Sequence, residues 1–287
     1  MGYADDWFLH PLISEWERKM VAEGMGVDKE EAKRLAENEK LPIEEVVEGC
    51  SEGREKKKIA NRFDFEDKKV LEVGCGRGYY TQFLAKESDM VCALDKMVGG
   101  REKHMWGEFR GVMRGQGVWN KVVPVQADAR DIPMPKDTFD ITTCASFFRD
   151  VYPNDIQKEI IEEVNRVSEK LRLAVYVDKD PEIAQKNFGD QIELRGEAQK
   201  ASGSPEKHIS HTPFEPFEVK SWFDGSIDIE YFDPDLRGQW ALGIDHFVDN
   251  LKDTDPKKKE LEKKQELLND KIEEHGCKRP TIMLVRA

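Results

Sequence analysis

Val70-Leu71-Glu72-Val73 is a short apolar run carrying one acid, and it stops in glycines at alternate positions, Gly74, Gly76 and Gly78. A run this short, bounded by a turn, reads as a buried parallel strand. The residues after it, from about Gly78 to Glu87, read as a helix. Gly74 and Gly76 permit turn conformations and close ligand approach that a Cβ would hinder. Dinucleotide folds also use such a turn. Here Tyr79 fills the place where their fingerprint has its last glycine. Glu72 would also repel a pyrophosphate, whereas a ligand carrying an ammonium or hydroxyls would suit it.

The strand–helix alternation then continues. Val91 to Asp95 is a second short apolar strand, and Asp95 stands where a carboxylate can accept both hydroxyls of a ribose. Trp106, Phe109 and Met113 give the next helix its apolar face. Val122 to Asp128 reads as the third strand, with Pro124 weakening its early ladder bonds. Phe139 to Ala145 reads as the fourth and Leu171 to Val177 as the fifth, with an amphipathic helix marked by Ile156, Ile160, Val164 and Val167 between them. Ile227 to Tyr231 and Thr281 to Val285 complete seven strands.

Glu72-Val73-Gly74-Cys75-Gly76-Arg77-Gly78 resembles motif I of the class I S-adenosylmethionine-dependent methyltransferases. Asp128-Ala129, followed by the approach to Phe139-Asp140, resembles that family's motif II and the lead into motif IV. The resemblance spans about residues 62–177 by motif, and 217–231 and 280–286 by strand order. It implies an α/β, Rossmann-like, seven-stranded and mostly parallel sheet with helices on both faces. It also implies S-adenosyl-L-methionine as cofactor. Glu72, Gly74, Cys75, Gly76 and Gly78 would hold the methionine part, and Asp95 the ribose. Lys96 and Met97 would lie near the adenine, Asp128 and Ala129 would read its edge, and Ala145 would border the cofactor. The turn at Glu169-Lys170 departs from the family, which usually has a glycine pair before the fifth strand.

Residues 1–60 read as a helical arm or lid ahead of a methyltransferase domain at 61–287. Residues 178–213, a long polar excursion with a possible helix after Pro181, and 233–279, a helical stretch before the last strand, read as insertions. Acceptor contacts are expected from Trp7, Phe147, Phe148 and Arg149, with His208 and His211 as a base or metal pair or as solvated loop residues. No metal site is expected, and no catalytic residue can be assigned. Cys144 lies inside a strand with no Pro-Cys pair, so core packing is the expectation and direct transfer the mechanism.

A net charge of -13 disfavours a broad nucleic-acid face and favours a small-molecule acceptor. Five dispersed cysteines without C-x-x-C spacing suit reduced thiols in a cytoplasm. No run reaches membrane-spanning length. An RNA or protein methyltransferase is the alternative, and a nicotinamide oxidoreductase is disfavoured by Glu72, Tyr79 and the Asp128 motif. A non-catalytic cofactor-binding partner subunit is the reading from another class. Leu261, Leu268 and Ile272 form a narrow stripe that suits either a homodimer contact through the C-terminal helices or cover for the core.

Overall fold

A computed structural model describes residues 51–96, 102–148, 155–203, 213–233, 248–249 and 251–287. The expectations for Trp7, Met97, Arg149, His208, His211 and the first fifty residues of the arm lie outside these. The strands are β1 (Lys69–Val73), β2 (Met90–Asp95), β3 (Val122–Gln126), β4 (Ile141–Ala145), β5 (Leu171–Val177), β6 (Asp228–Phe232) and β7 (Thr281–Arg286). They form one seven-stranded sheet in the order β3-β2-β1-β4-β5-β7-β6. The pairs β1–β2, β1–β4, β2–β3 and β4–β5 are parallel. Leu171 and Ala287 exchange both backbone hydrogen bonds, the pattern of an antiparallel pair.

The helices are α1 (Ser51–Ala60), α2 (Thr81–Glu87), α3 (Glu102–Gly115), α4 (Asp155–Val167), α5 (Ile183–Ala201), α6 (Pro216–Ser221) and α7 (Pro256–His275). Two compact units are present. The first takes the described residues up to Ala145, with Lys158–Ala174 and Val285–Ala287; the second takes Ser146–Gln157 and Val175–Leu284.

In the first unit, β1 and β2 are buried along nearly their whole length, as their unbroken apolar runs require. Fully buried Phe65, Leu71, Leu94 and Phe109 anchor the core, each worth about 1.5–3 kcal/mol of burial. β3 is the edge strand, which is why Pro124 is tolerated and Val123 stays exposed. α1 belongs to this unit and buries Glu55, Lys56, Ile59 and Ala60. The loop after β3 is pinned to α4. Glu163 accepts from Ile132 N at 2.9 Å, and Arg166 donates to Met134 O at 2.8 Å.

In the second unit the helix expected after Pro181 is present, and it takes up more of the stretch 178–213 than a polar excursion would. A nineteen-residue helix, α5, runs through it. The Glu182 side chain accepts from the third residue's backbone while Gln185 reaches back to the Glu182 N–H, a capping box. Phe188, Ile192, Leu194 and Ala198 of α5 share a core with Leu261 and Leu268 of α7, and with Val248, Leu251 and Cys277. Asn187 donates to Lys271 O and Gly276 O, fixing α5 against the end of α7. α7 starts with Pro256 at N1 behind an Asp255 cap and stops at Gly276, whose φ is 77°. Of the two roles left open for the Leu261–Leu268 stripe, core cover is the one these side chains occupy.

Candidate cofactor site

β1 delivers Glu72 and then the glycine turn. Gly74, Gly76 and Gly78 all have positive φ, at 78°, 50° and 84°. Gly78 is constrained twice, because a Cβ there would also lie 2.9 Å from side-chain carbons of Phe109 and Met113. That positive φ keeps Gly78 out of the helix, so α2 begins three residues later than the sequence predicts. Around Gly76 a Cβ would meet no atom within 4 Å, so the turn is open to close approach. The Gly76 N–H donates to Asp95 Oδ2 at 2.9 Å, and Gly74 N and Cys75 N donate to Leu94 O. The carboxyl end of β2 is thereby tied to the turn that follows β1.

Beneath the turn lies a set of buried polar groups. Glu72 pairs in register with Thr143 of β4, whose Oγ1 lies 3.3 Å from Tyr80 Oη. Glu72 is 2% exposed, and among the described residues its Oε2 has no hydrogen-bond partner. Burial pushes the Glu72 carboxyl up from 4.5 to about 7, and Asp95 adds to the rise. The Thr81 hydroxyl and the Lys56 ammonium pull the other way. Lys56 is itself buried, and its Nζ donates to Ala145 O at 2.9 Å. Lys56 and Thr81 were invisible as site residues: Lys56 sits in the highly charged Arg54–Lys58 run, and its burial shows only through the Ile59 and Ala60 spacing.

Asp128 follows β3, and its carboxylate is fully engaged. Oδ1 accepts from Arg130 N and Nε at 3.0 Å each; Oδ2 accepts from Arg130 Nη2 at 2.7 Å and from Lys96 Nζ at 2.9 Å. The Arg130 guanidinium above all, and Lys96 with it, hold this carboxyl well below the ordinary carboxylate range. A carboxylate has about four lone-pair positions, and these four bonds use them. A further donor would have to displace one, and the Lys96 contact, on a half-exposed chain, is the single-point one. Ala129, next to it, is buried.

The remaining expectations divide. Cys75, Cys92 and Cys144 are buried free thiols, and burial raises each of them above the ordinary thiol range. Cys144 is therefore core, as its place in the strand predicts. Phe148, expected at the acceptor, is instead fully buried in the second unit, with Trp222 at 5.0 Å and Phe147 at 5.3 Å between ring centroids. Its aromatic neighbours, Trp222 and beyond it Phe214, make it a packing residue. Among the described residues no group of His, Cys, Asp and Glu could hold a metal ion. No described helix is long and apolar enough to cross a membrane.

Residues 70–170 match the family model described as a methyltransferase domain. With the strand order above, this gives the segment the fold and the family match of a methyltransferase domain. Solved structures share the fold. The YcgJ protein of Bacillus subtilis is 14% identical with a TM-score of 0.52, over 81% of this chain and 96% of that one. A cyclopropane-fatty-acyl-phospholipid synthase-like protein of Lactobacillus casei is 14% identical with a TM-score of 0.55, over 86% of this chain and 93% of that one. No curated protein matches the sequence.

Proposed function

We propose that the protein moves the methyl group of S-adenosylmethionine onto a small-molecule acceptor by direct transfer. The observation that carries the cofactor assignment to particular residues is the buried Glu72 carboxylate, two residues before an open glycine turn, whose Oε2 has no partner among the described residues. An isolated buried carboxylate oxygen is costly, and an ammonium donor would satisfy it. The donor set fits the cofactor. Glu72 holds the ammonium, and Asp95, braced by the Gly76 N–H, accepts the ribose hydroxyls. Asp128 and the Ala129 N–H take the adenine edge, with Lys96 giving way at Oδ2.

When bound, the cofactor supplies a methyl group already activated by its sulfonium. What this chain must contribute is alignment, exclusion of water and, where the acceptor needs it, removal of a proton. Cys144 takes no covalent part, because its thiol is fully buried and held protonated. The net charge of -13 supports a small acceptor over RNA. The buried free thiols support a cytoplasmic setting.

The test is incubation with methyl-labelled cofactor and a native cytosolic extract divided into small-molecule, RNA and protein fractions. Label in the small-molecule fraction is expected. Label in RNA or protein would favour the alternative acceptors. Cofactor binding without any label transfer would favour a non-catalytic partner subunit.

A further inference from the structure

Residues 127–140 join β3 to β4 as irregular chain, and Asp128 and Ala129, read above as the partners of the adenine edge, stand near its start. One side of this pair is fixed by the sheet, because Ala127 N donates to Asp95 O at 3.2 Å and continues the register of β3 on β2. The other side is fixed by side chains. Asp131 N donates to Asp128 O at 3.0 Å, closing a turn, and Ile132 follows it. Glu163 and Arg166, one turn apart on α4, grip Ile132 by its backbone. Glu163 Oε1 accepts from Ile132 N at 2.9 Å, and Arg166 Nη2 donates to Ile132 O at 2.9 Å. Arg166 Nη1 reaches Met134 O at 2.8 Å. Within the pair, Arg166 Nε and Nη2 donate to the two Glu163 oxygens. The carboxylate and the planar guanidinium thus offer Ile132 an acceptor and a donor together, as a neighbouring strand would. The Ile132 side chain is buried, so the residue held is one already seated in the core. An ion pair as exposed as this one adds little to stability by itself. Its use is positional: any shift of Ile132 would pass back through the Asp128–Asp131 turn to the adenine partners.

We propose that Glu163 and Arg166 are positioning residues for base selection: by holding Ile132 they keep the Asp128 carboxylate and the Ala129 N–H in the paired geometry that accepts adenine and refuses a 6-oxo purine. The inference rests on the cofactor reading above and extends it to two residues of α4 that act through the loop rather than on the ligand. Adenine presents an amino donor beside an acceptor ring nitrogen, and hypoxanthine presents the reverse. Telling them apart needs an acceptor and a donor held at fixed positions, so that the wrong base leaves both unpaired.

Calorimetry on the full chain tests this with two probes, S-adenosylhomocysteine and S-inosylhomocysteine, beside thermal melts of each variant. Wild type should prefer the adenine probe by at least about 10-fold. Arg166→Met should keep a cooperative melt yet cut that preference by roughly 5-fold, the net worth of about one hydrogen bond, through weaker binding of the adenine probe. Arg166→Lys keeps the charge but not the planar fork, so it should lose the preference as well. A lowered melting temperature with the preference unchanged would make the pair a strut between the loop and α4 and overturn the inference. If Arg166→Met does not fold, Glu163→Gln decides, since it keeps the shape and one acceptor but sets an amide N–H against the Arg166 donors: an unchanged preference there overturns the inference. Wild type binding the two probes alike, or neither, would remove the adenine reading beneath it, a result distinct from a wild-type preference that the variants retain.

Discussion

Glu72→Gln separates the cost of the buried carboxylate from its use. The native carboxyl stands at about 7 against an ordinary value of 4.5. The folded protein therefore holds this proton more tightly than the unfolded chain does. Between those values the native state binds more protons, so stability falls as pH rises through the window and stays low above it. Each pKa unit is worth about 1.36 kcal/mol, so the whole difference is roughly 3 kcal/mol. Glutamine has the same shape and does not ionise. Relative to wild type, the variant should gain roughly 3 kcal/mol of stability between pH 4 and pH 8. Urea titrations of both proteins at the two pH values, free of ligand, measure this directly. The same substitution should weaken S-adenosylhomocysteine binding at pH 8 by roughly 10- to 150-fold, because the ammonium loses its charged acceptor. In wild type, affinity should decline below pH 7 as the carboxyl takes up its proton. Parallel pH–stability curves for wild type and variant would refute the reasoning, as would unchanged affinity in the variant.

Lys96→Met should leave S-adenosylhomocysteine binding unchanged or tighter, since it frees one Asp128 acceptor position; a clear loss by calorimetry would mean Lys96 contacts the ligand itself. Gly78→Ala should cost at least about 1–2 kcal/mol in urea unfolding, from its φ of 84° before any clash with Phe109 and Met113 is counted, and a neutral result would show that the turn adapts. Cys144→Ala should cost about 1 kcal/mol of packing and retain methyl transfer, and loss of turnover in a folded, cofactor-binding variant would restore a nucleophilic role.

The seven strands and the glycine turn were legible because each rests on a local signal. β1, β2, β4 and β5 are short apolar runs, and Gly74, Gly76 and Gly78 mark where the first one ends. What stayed hidden depends on distant partners. The start of α5 after Pro181 was legible but its length and burial were not: it carries buried Gln185, Asn187, Gln191 and Gln199, so its inward face is diluted with amides and its periodicity is weak. Those amides are satisfied by groups such as Arg279 O and Gly276 O, some ninety residues further on. Phe148 follows a strand at the end where ligands bind, and only Trp222 shows that it is packing material. Lys56 and Asp128 make the same point for charge: the residue types were visible, but their partners, Ala145 O and Arg130 with Lys96, were not.

The strand order also sets a timetable for synthesis. β7 lies between β5 and β6, although it is made after both. While the chain emerges, β5 presents an open edge and β6 has no neighbour to join until Thr281–Arg286 appears. The four strands β3-β2-β1-β4 need nothing beyond Ala145 and can pair early. α5 likewise waits for α7 to cover Phe188 and Ile192. Completion of the sheet therefore depends on the last strand to be made, and until then β5 keeps an edge open to mispairing.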